Sequence, residues 1–285
     1  MWPLASRIID KDFSDILYLK DGIFMKTDLS DILGRVLLFY GPVSKYIWEP
    51  QTTRLAELLV KDAQNALVAG AHLGYMALMI RRAMPREATV YTFEPIPYLY
   101  DIARENAVLN RKDIGEVIVY NKALSNVSRK ASMTLDSIRS KMDDSDEGEH
   151  IRVETVSVDQ LITGGSINYP DFVLLDVEGH ELIVLKGMHD TLMKNPPKNI
   201  IFEVSPRIAG GEPDVETITS ILKPYGYAFY HIEDDYKCRH VGRIKLPVVL
   251  YPLEPRLLSE ARYFNVLATI ETSSMLEDKD IVLRR

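Results

Sequence analysis

Two stretches limit the architecture more than anything else in the chain. Asp171-Phe172-Val173-Leu174-Leu175-Asp176 and Asn199-Ile200-Ile201-Phe202-Glu203-Val204 are unbroken apolar runs that finish beside a carboxylate. A strand with one face in water alternates polar and apolar residues, so runs like these belong to strands covered on both faces. Helices must then lie on both sides of the sheet. Other segments repeat the design. Ala66-Leu67-Val68-Ala69 stops at Gly70, and Leu73, Ala77, Leu78 and Ile80 follow near helical spacing. The run 89–93 stops at Glu94-Pro95, and residues 98–110 read as a helix with Leu99, Ile102, Ala103, Ala107 and Val108 inward. Residues 117–120, 227–231 and 264–270 complete the strands, and 215–222 reads as a helix. The alternation predicts an α/β fold, a Rossmann-like, seven-stranded, mostly parallel sheet with helices on both faces.

Residues 1–65 precede the first central strand and read as a small N-terminal cap, 66–270 as the main domain, and 271–285 as a polar, loose C-terminal tail. The Ser/Lys/Asp-rich segment 136–150 reads as a mobile excursion near the mouth. Charge narrows the partners: 34 Lys+Arg against 41 Asp+Glu leave a net charge of −7 with no basic block, a field that repels nucleic acid. The longest mostly apolar run, 66–80, is interrupted by Gly70, His72 and Gly74 and falls short of the about 20 residues a membrane span needs. Cys238 is the sole cysteine, so no intramolecular disulfide is possible. Met1-Trp2-Pro3-Leu4 lacks the start of a signal peptide, and a cytoplasmic protein is expected.

Ligands of open α/β sheets bind beyond the carboxyl ends of the strands, so the informative residues are those just after each apolar run. In Gly70-Ala71-His72-Leu73-Gly74 the two glycines let the backbone approach a ligand and turn into a helix. Glu94 ends the next strand, where a carboxylate accepts both hydroxyl hydrogens of an adenosine ribose. A dinucleotide site wants Gly-x-Gly-x-x-Gly for its pyrophosphate, which this turn lacks. A mouth ringed by Glu94, Asp176, Glu178, Glu181 and Glu203 also opposes pyrophosphate and suits a sulfonium, which points to S-adenosyl-L-methionine.

The same residues resemble a known family. Val68-Ala69-Gly70-Ala71-His72-Leu73-Gly74-Tyr75, Tyr91-Thr92-Phe93-Glu94-Pro95, and above all Leu175-Asp176-Val177-Glu178-Gly179-His180-Glu181 followed by Val184-Leu185-Lys186-Gly187 look like the FkbM-type methyltransferases. The resemblance runs from about Asp21-Gly22 through Trp48-Glu49-Pro50-Gln51-Thr52 to the 222–227 turn. It implies a class I, S-adenosylmethionine-dependent fold that usually methylates a hydroxyl oxygen of a sugar or secondary metabolite. It places Gly70, Ala71, His72, Gly74, Glu94 and Pro95 at the cofactor, Asp176 at the cofactor or the acceptor, Glu49 and Thr52 over the methionine part, and Ala123, within 121–125, at the adenine. Two positions depart from the pattern: Val68 stands where the first motif usually opens with Asp, and His72 stands at its usual Asn.

Methyl transfer from a sulfonium is an in-line displacement that depends mainly on positioning, but an alcohol acceptor must also lose a proton. Asp176, Glu178, His180 and Glu203 are the candidates to take it. Each has a plainer alternative. Asp176 caps helices well, Glu178 and Glu181 suit a helix N-terminus, His180 can serve only as a hydrogen-bonding residue, and Glu49-Pro50 can simply start a helix. No metal is expected, since neither Asp176, Glu178 and His180 nor His231, Cys238 and His240 make a complete structural-zinc spacing. The sequence therefore favours a methyltransferase acting on a small-molecule or glycan acceptor. Its rivals are a non-catalytic scaffold with the same fold and a nicotinamide-dependent oxidoreductase.

Overall fold

The computed structural model describes residues 16–135, 140–142, 149–204, 215–233, 247–253, 263–272, 275 and 277–284. β1 (Ile16–Tyr18) and β2 (Phe24–Lys26) form an antiparallel hairpin, followed by α1 (Ile32–Tyr40) and α2 (Pro50–Leu59). β3 (Asn65–Ala69), α3 (Tyr75–Ala83), β4 (Thr89–Phe93), α4 (Pro97–Ile114) and β5 (Glu116–Tyr120) then give two strand-helix-strand units in succession. β6 (Ala123–Leu124), β7 (Arg129–Leu135), β8 (Ser140–Met142) and β9 (Glu149–Val156) come next. The chain continues through α5 (Val158–Thr163), β10 (Phe172–Leu175), α6 (Glu181–Lys186), α7 (His189–Lys194), β11 (Asn199–Val204) and α8 (Val215–Leu222). It closes with β12 (Ala228–Ile232), β13 (Val248–Pro252), β14 (Phe264–Thr269) and β15 (Ile281–Leu283).

The main sheet has the order β15-β13-β12-β14-β11-β10-β3-β4-β5. β14 is antiparallel to both β11 and β12, whereas β11, β10, β3, β4 and β5 run parallel. The seven expected strands are all present, and β13 and β15 extend the β12 edge to make nine. From β3 the chain moves to β4 and β5 on one side and later to β10 and β11 on the other. That reversal opens a crevice at the carboxyl ends of β3 and β10, where α/β sheets bind ligands.

Side-chain alternation divides the core as a doubly covered sheet requires. Leu67, Ala69, Val173, Leu175, Ile200 and Phe202 pack with Val184, Leu185, Leu192 and Ile218 of α6, α7 and α8. Ala66, Val68, Phe172, Leu174 and Ile201 face the other way, onto Leu55 and Ala56 of α2 and Ala77 and Ile80 of α3. Val68 is therefore a core residue in an apolar layer. A third cluster joins the cap to the domain, with Leu19, Met25, Leu33 and Leu37 resting on Leu73, Leu78 and Leu99.

One expectation needs correction. The segment from 271 onward is not a loose tail over its described length. β15 pairs in parallel with β13, Met275 and Ile281 are buried, and Asp278 and Asp280 bond Lys61 and Arg54 at 2.9 and 2.8 Å. The physical reason is the edge of β13, whose backbone groups need a partner. The excursion over 136–150 belongs in its described part to a second sheet, of order β6-β9-β7-β8. Residues 136–139 and 143–148, like Cys238 and His240, lie outside the described residues.

The cap hairpin is held by two amides that imitate a neighbouring strand. Phe24 N–H donates to Asn110 Oδ1 at 2.9 Å while Asn110 Nδ2 donates to Phe24 O at 2.7 Å, and Asn106 binds Lys26 in the same way at 2.6 and 2.9 Å. Asn106→Ala or Asn110→Ala leaves both backbone groups of one residue unmatched in a part-buried setting. A loss of about 1–3 kcal/mol is expected for each, read by denaturant titration.

Candidate functional site

The glycine turn after β3 is shaped by one close approach. Gly70 has φ +85, and a Cβ there would lie 1.8 Å from the carbonyl oxygen of Asp176. The turn is pinned from the neighbouring strand, since Gly70 N–H and Ala71 N–H both donate to Phe93 O, at 3.0 and 2.9 Å. Gly74, at φ +89, is the N-cap of α3 and closes the turn through a bond to Ala71 O at 2.6 Å.

Glu94, at the end of β4, is buried, and its carboxylate accepts His72 N–H at 2.8 Å and Ile96 N–H at 3.0 Å. Burial pushes its carboxyl up to about 7, against the pull of those two N–H groups and of the His72 ring. His72 adopts a left-handed φ of 49, and its Nε2 lies 3.1 Å from Asp31 Oδ2. Burial depresses the imidazole, but Asp31, then Glu94 and Glu178, outweigh it and hold the ring above the usual histidine range. Asn121 Nδ2 donates to Glu94 O and Pro95 O, both at 3.0 Å, tying the β5 turn to the β4 turn.

Acidic groups gather at the end of β10. The carboxylates of Asp176, Glu178 and Glu203 offer oxygens that all lie within 4.8 Å of one another. Burial first, then the charges of Glu203, Glu49, Glu178 and Glu181, drive the Asp176 carboxyl well above its ordinary range. The backbone brings this about: Glu178 and Gly179 take φ 52 and 93, folding the turn back on itself. Glu181 is a staple of that turn, its buried carboxylate accepting Val177 N–H at 3.1 Å and Gly179 N–H at 3.3 Å, and burial pushes it up to about 7. His180 lies 3.3 Å from Ser125 Oγ through Nε2; burial, with Arg129 adding to it, lowers its basicity.

A cavity of about 260 Å³ opens at this crevice. Gly70, Ala71, His72, Glu94, Pro95, Ala123, Asp176, Glu178 and His180 all line it. Gly74, Glu49, Thr52 and Glu203 are not part of its wall. Gly74 lies behind the turn, and Glu203 backs Asp176 from the adjacent strand. Glu49 and Thr52 meet at Asn265, whose Nδ2 donates to Glu49 Oε2 at 3.2 Å and Thr52 Oγ1 at 3.0 Å, and β14 sets Asn265 opposite Glu203. Asn265 was missed by sequence reasoning, although a lone amide in the apolar run Phe264-Asn265-Val266-Leu267 was a visible signal. Trp48, from the 48–52 motif, and Lys122, from the 121–125 turn, also line the cavity, as do Asp31, Tyr98 and Met133, which no local pattern announced. His231 sits apart, packed edge-on to Phe264 at 5.3 Å.

The wall suits S-adenosylmethionine. Apolar Phe93, Ile96, Leu99 and Leu124 offer a slot for a flat base, Glu94 presents a buried carboxylate, and Asp176 and Glu178 give a negative surround for a sulfonium. The Gly70 backbone has no side chain to obstruct close approach.

Comparison with known proteins agrees with this chemistry. A family profile described as Methyltransferase FkbM domain matches residues 69–229, more than half of the chain. Hexuronic acid methyltransferase AglP of Haloferax volcanii is 29% identical over 219 residues, covering 73% of this chain and 86% of that protein. Among solved structures, methyltransferase FkbM from Methylobacillus flagellatus KT aligns at 12% identity with a TM-score of 0.47, over 73% of this chain and 44% of that one. An O-methyltransferase from Bacillus cereus in complex with SAH aligns at 16% identity and a TM-score of 0.43, over 78% of this chain and 81% of that one. Among the described residues no helix is long and apolar enough to cross a membrane. With its glycine turn, the buried Glu94 carboxylate and the acidic β10 turn all within the matched region, the chain belongs to the FkbM family of S-adenosylmethionine-dependent methyltransferases.

Proposed function

We propose that this protein methylates a hydroxyl oxygen of a sugar, in a glycan or a related polyhydroxylated small molecule. The observation that carries the reading is the placing of Asp176, Glu178 and His180 on one wall of the cavity, at the mouth of β10. An alcohol becomes a competent nucleophile only as its proton leaves, and a general base with a value near the working pH does this best. Burial, followed by the charge of Glu203, holds Asp176 above the usual carboxylate range, which makes its carboxylate a stronger base, and burial holds His180 below the usual imidazole range, which favours the neutral ring that can accept a proton. Glu203, behind Asp176, disfavours a second negative charge there and keeps the Asp176 carboxyl basic.

S-adenosylmethionine supplies an electrophilic methyl on a sulfonium. Glu94 would hold the ribose hydroxyls, Gly70, Ala71, His72 and Gly74 would form the turn beneath the cofactor, and Pro95 and Ala123 would border its adenine. Glu49 and Thr52, joined through Asn265, would close the methionine end. We take 1–65 as the cap, 66–270 as the cofactor-binding domain and the rest as a C-terminal segment returned to the sheet by β15. The sole cysteine favours a cytoplasmic protein.

The relative's name raises a second reading, because a hexuronic acid offers a carboxylate oxygen as well as hydroxyls. A carboxylate acceptor needs no base, and a wall of carboxylates would repel it. Transfer of labelled methyl to a uronic acid glycoside, followed by mild alkali, separates the two: an ether survives and an ester releases methanol. Alkali-stable label is expected, and methanol release would overturn the hydroxyl reading. As a check on the cofactor, Glu94→Ala is expected to weaken S-adenosylhomocysteine binding by about 1.5–3 kcal/mol in calorimetry, the range for hydrogen bonds to a charged group.

A further inference from the structure

The cap reaches the cofactor turn through one directed contact. Asp31 is the N-cap of α1: its Oδ1 accepts Leu33 N–H at 2.7 Å and Gly34 N–H at 3.2 Å, while its Oδ2 meets His72 Nε2 at 3.1 Å. The backbone N–H of that same His72 donates to Glu94. A single residue thus links the start of the cap helix to the carboxylate that ends β4, and Asp31, His72 and Glu94 all face the cavity.

We propose that Asp31 and His72 are a positioning pair for S-adenosylmethionine, holding the start of α1 across the glycine turn and the His72 N–H on Glu94. The inference rests on the cofactor reading above. Apolar packing of Leu33 and Leu37 on Leu73 and Leu78 brings the cap onto the domain, but such packing is non-directional. A hydrogen-bonded pair fixes which part of α1 overlies the turn. The side chains of His72 and Asp31 are 38% and 21% exposed, so the pair is partly shielded from water.

The charges that raise the ring are acidic: Asp31 at the N-cap of α1, Glu94 just after β4 and Glu178 from the turn before α6. Asp31 in turn is held below its ordinary value, since burial raises it but His72 and the two backbone N–H groups outweigh that. Burial, and then the charges of Asp28, Asp31 and Glu94, raise the Tyr98 hydroxyl on α4, another group of the cavity wall.

Four full-length proteins test the pair by calorimetry with S-adenosylhomocysteine: wild type, Asp31→Asn, His72→Asn and the double variant. Asparagine still caps α1, and at position 72 it tolerates the positive φ and keeps the N–H on Glu94, so neither change strains the backbone. Each single variant is expected to bind about 5- to 20-fold more weakly, with the KM for S-adenosylmethionine rising by the same factor and kcat moving less. The double variant should be no weaker than the worse single, because both changes cut one contact. Unaltered affinity in the singles, or losses that multiply in the double, overturn the pair while leaving the cofactor assignment intact. A wild type that fails to bind S-adenosylhomocysteine overturns both.

Discussion

Replacing Gly70 with alanine is expected to destabilise the fold by about 2–5 kcal/mol and to abolish binding of S-adenosylhomocysteine. Two effects add. A side chain at φ +85 is strained, and its Cβ would lie 1.8 Å from the Asp176 carbonyl oxygen, which is backbone and cannot rotate away. Relief requires β3 and β10 to separate at their carboxyl ends, the very place where the crevice opens. Gly74→Ala is the control, because φ is nearly the same at +89 but the new Cβ would meet Ala103 at an ordinary 3.5 Å. That variant bears only the conformational strain, about 1–2 kcal/mol. Denaturant titrations of the two side by side are the measurement, and equal losses would show that the Asp176 contact is unimportant.

Asp176→Asn is expected to lower kcat by about 100-fold or more while making the protein more stable at alkaline pH. The turnover loss follows from removing the proposed base and keeping its shape. The stability gain follows from the direction of the shift. A carboxyl raised in the folded state binds its proton more tightly folded than unfolded. Its contribution is therefore greatest at low pH and is lost as pH rises from the ordinary aspartate value through the raised one. Beyond that, folding must confine a charge beside Glu203, Glu49 and Glu178. An amide at 176 removes that repulsion. Melting temperatures and saturating rates across pH 5–9 check both limbs, and a variant that is slower but no more stable at pH 9 would contradict the electrostatic account. Glu94 and Glu181, both pushed up to about 7 by burial, add to the same decline in stability as pH rises from about 4.5 to 7.

Activity and stability thus oppose each other at the β10 turn. Glu178 holds a left-handed φ of 52 without being glycine, and three carboxylates share a space of 4.8 Å. Strain and like charge held together in this way are characteristic of sites shaped for chemistry.

Much of this was legible because it depends on neighbours in the chain. Uninterrupted apolar runs identified the central strands, since burial on both faces removes any need for polar residues. The residues that end those runs identified the crevice, since a strand can expose polar groups only where it leaves the core. Gly70 and Glu94 followed from the same logic. The edge strands β13 and β15 were not recognised, because a short edge strand needs no distinctive pattern and β15 is defined only by its pairing with β13.

Residues far apart in the chain were beyond such reasoning. Asn265 joins Glu49 and Thr52 across more than 200 positions, and Asp31 meets His72 across 41. Local periodicity tells which side of an element is buried, but not which distant side chain will meet it. The sequence alone determined the α/β class, the strand ends and the glycine turn, because these are consequences of hydrophobic pattern and backbone sterics over a few residues. Tertiary structure alone decided that Glu203 would stand behind Asp176, that Asn265 would clasp the cap's exit, and that Asp31 would reach the glycine turn. Those contacts exist only after strand order and helix packing bring remote segments within hydrogen-bonding range.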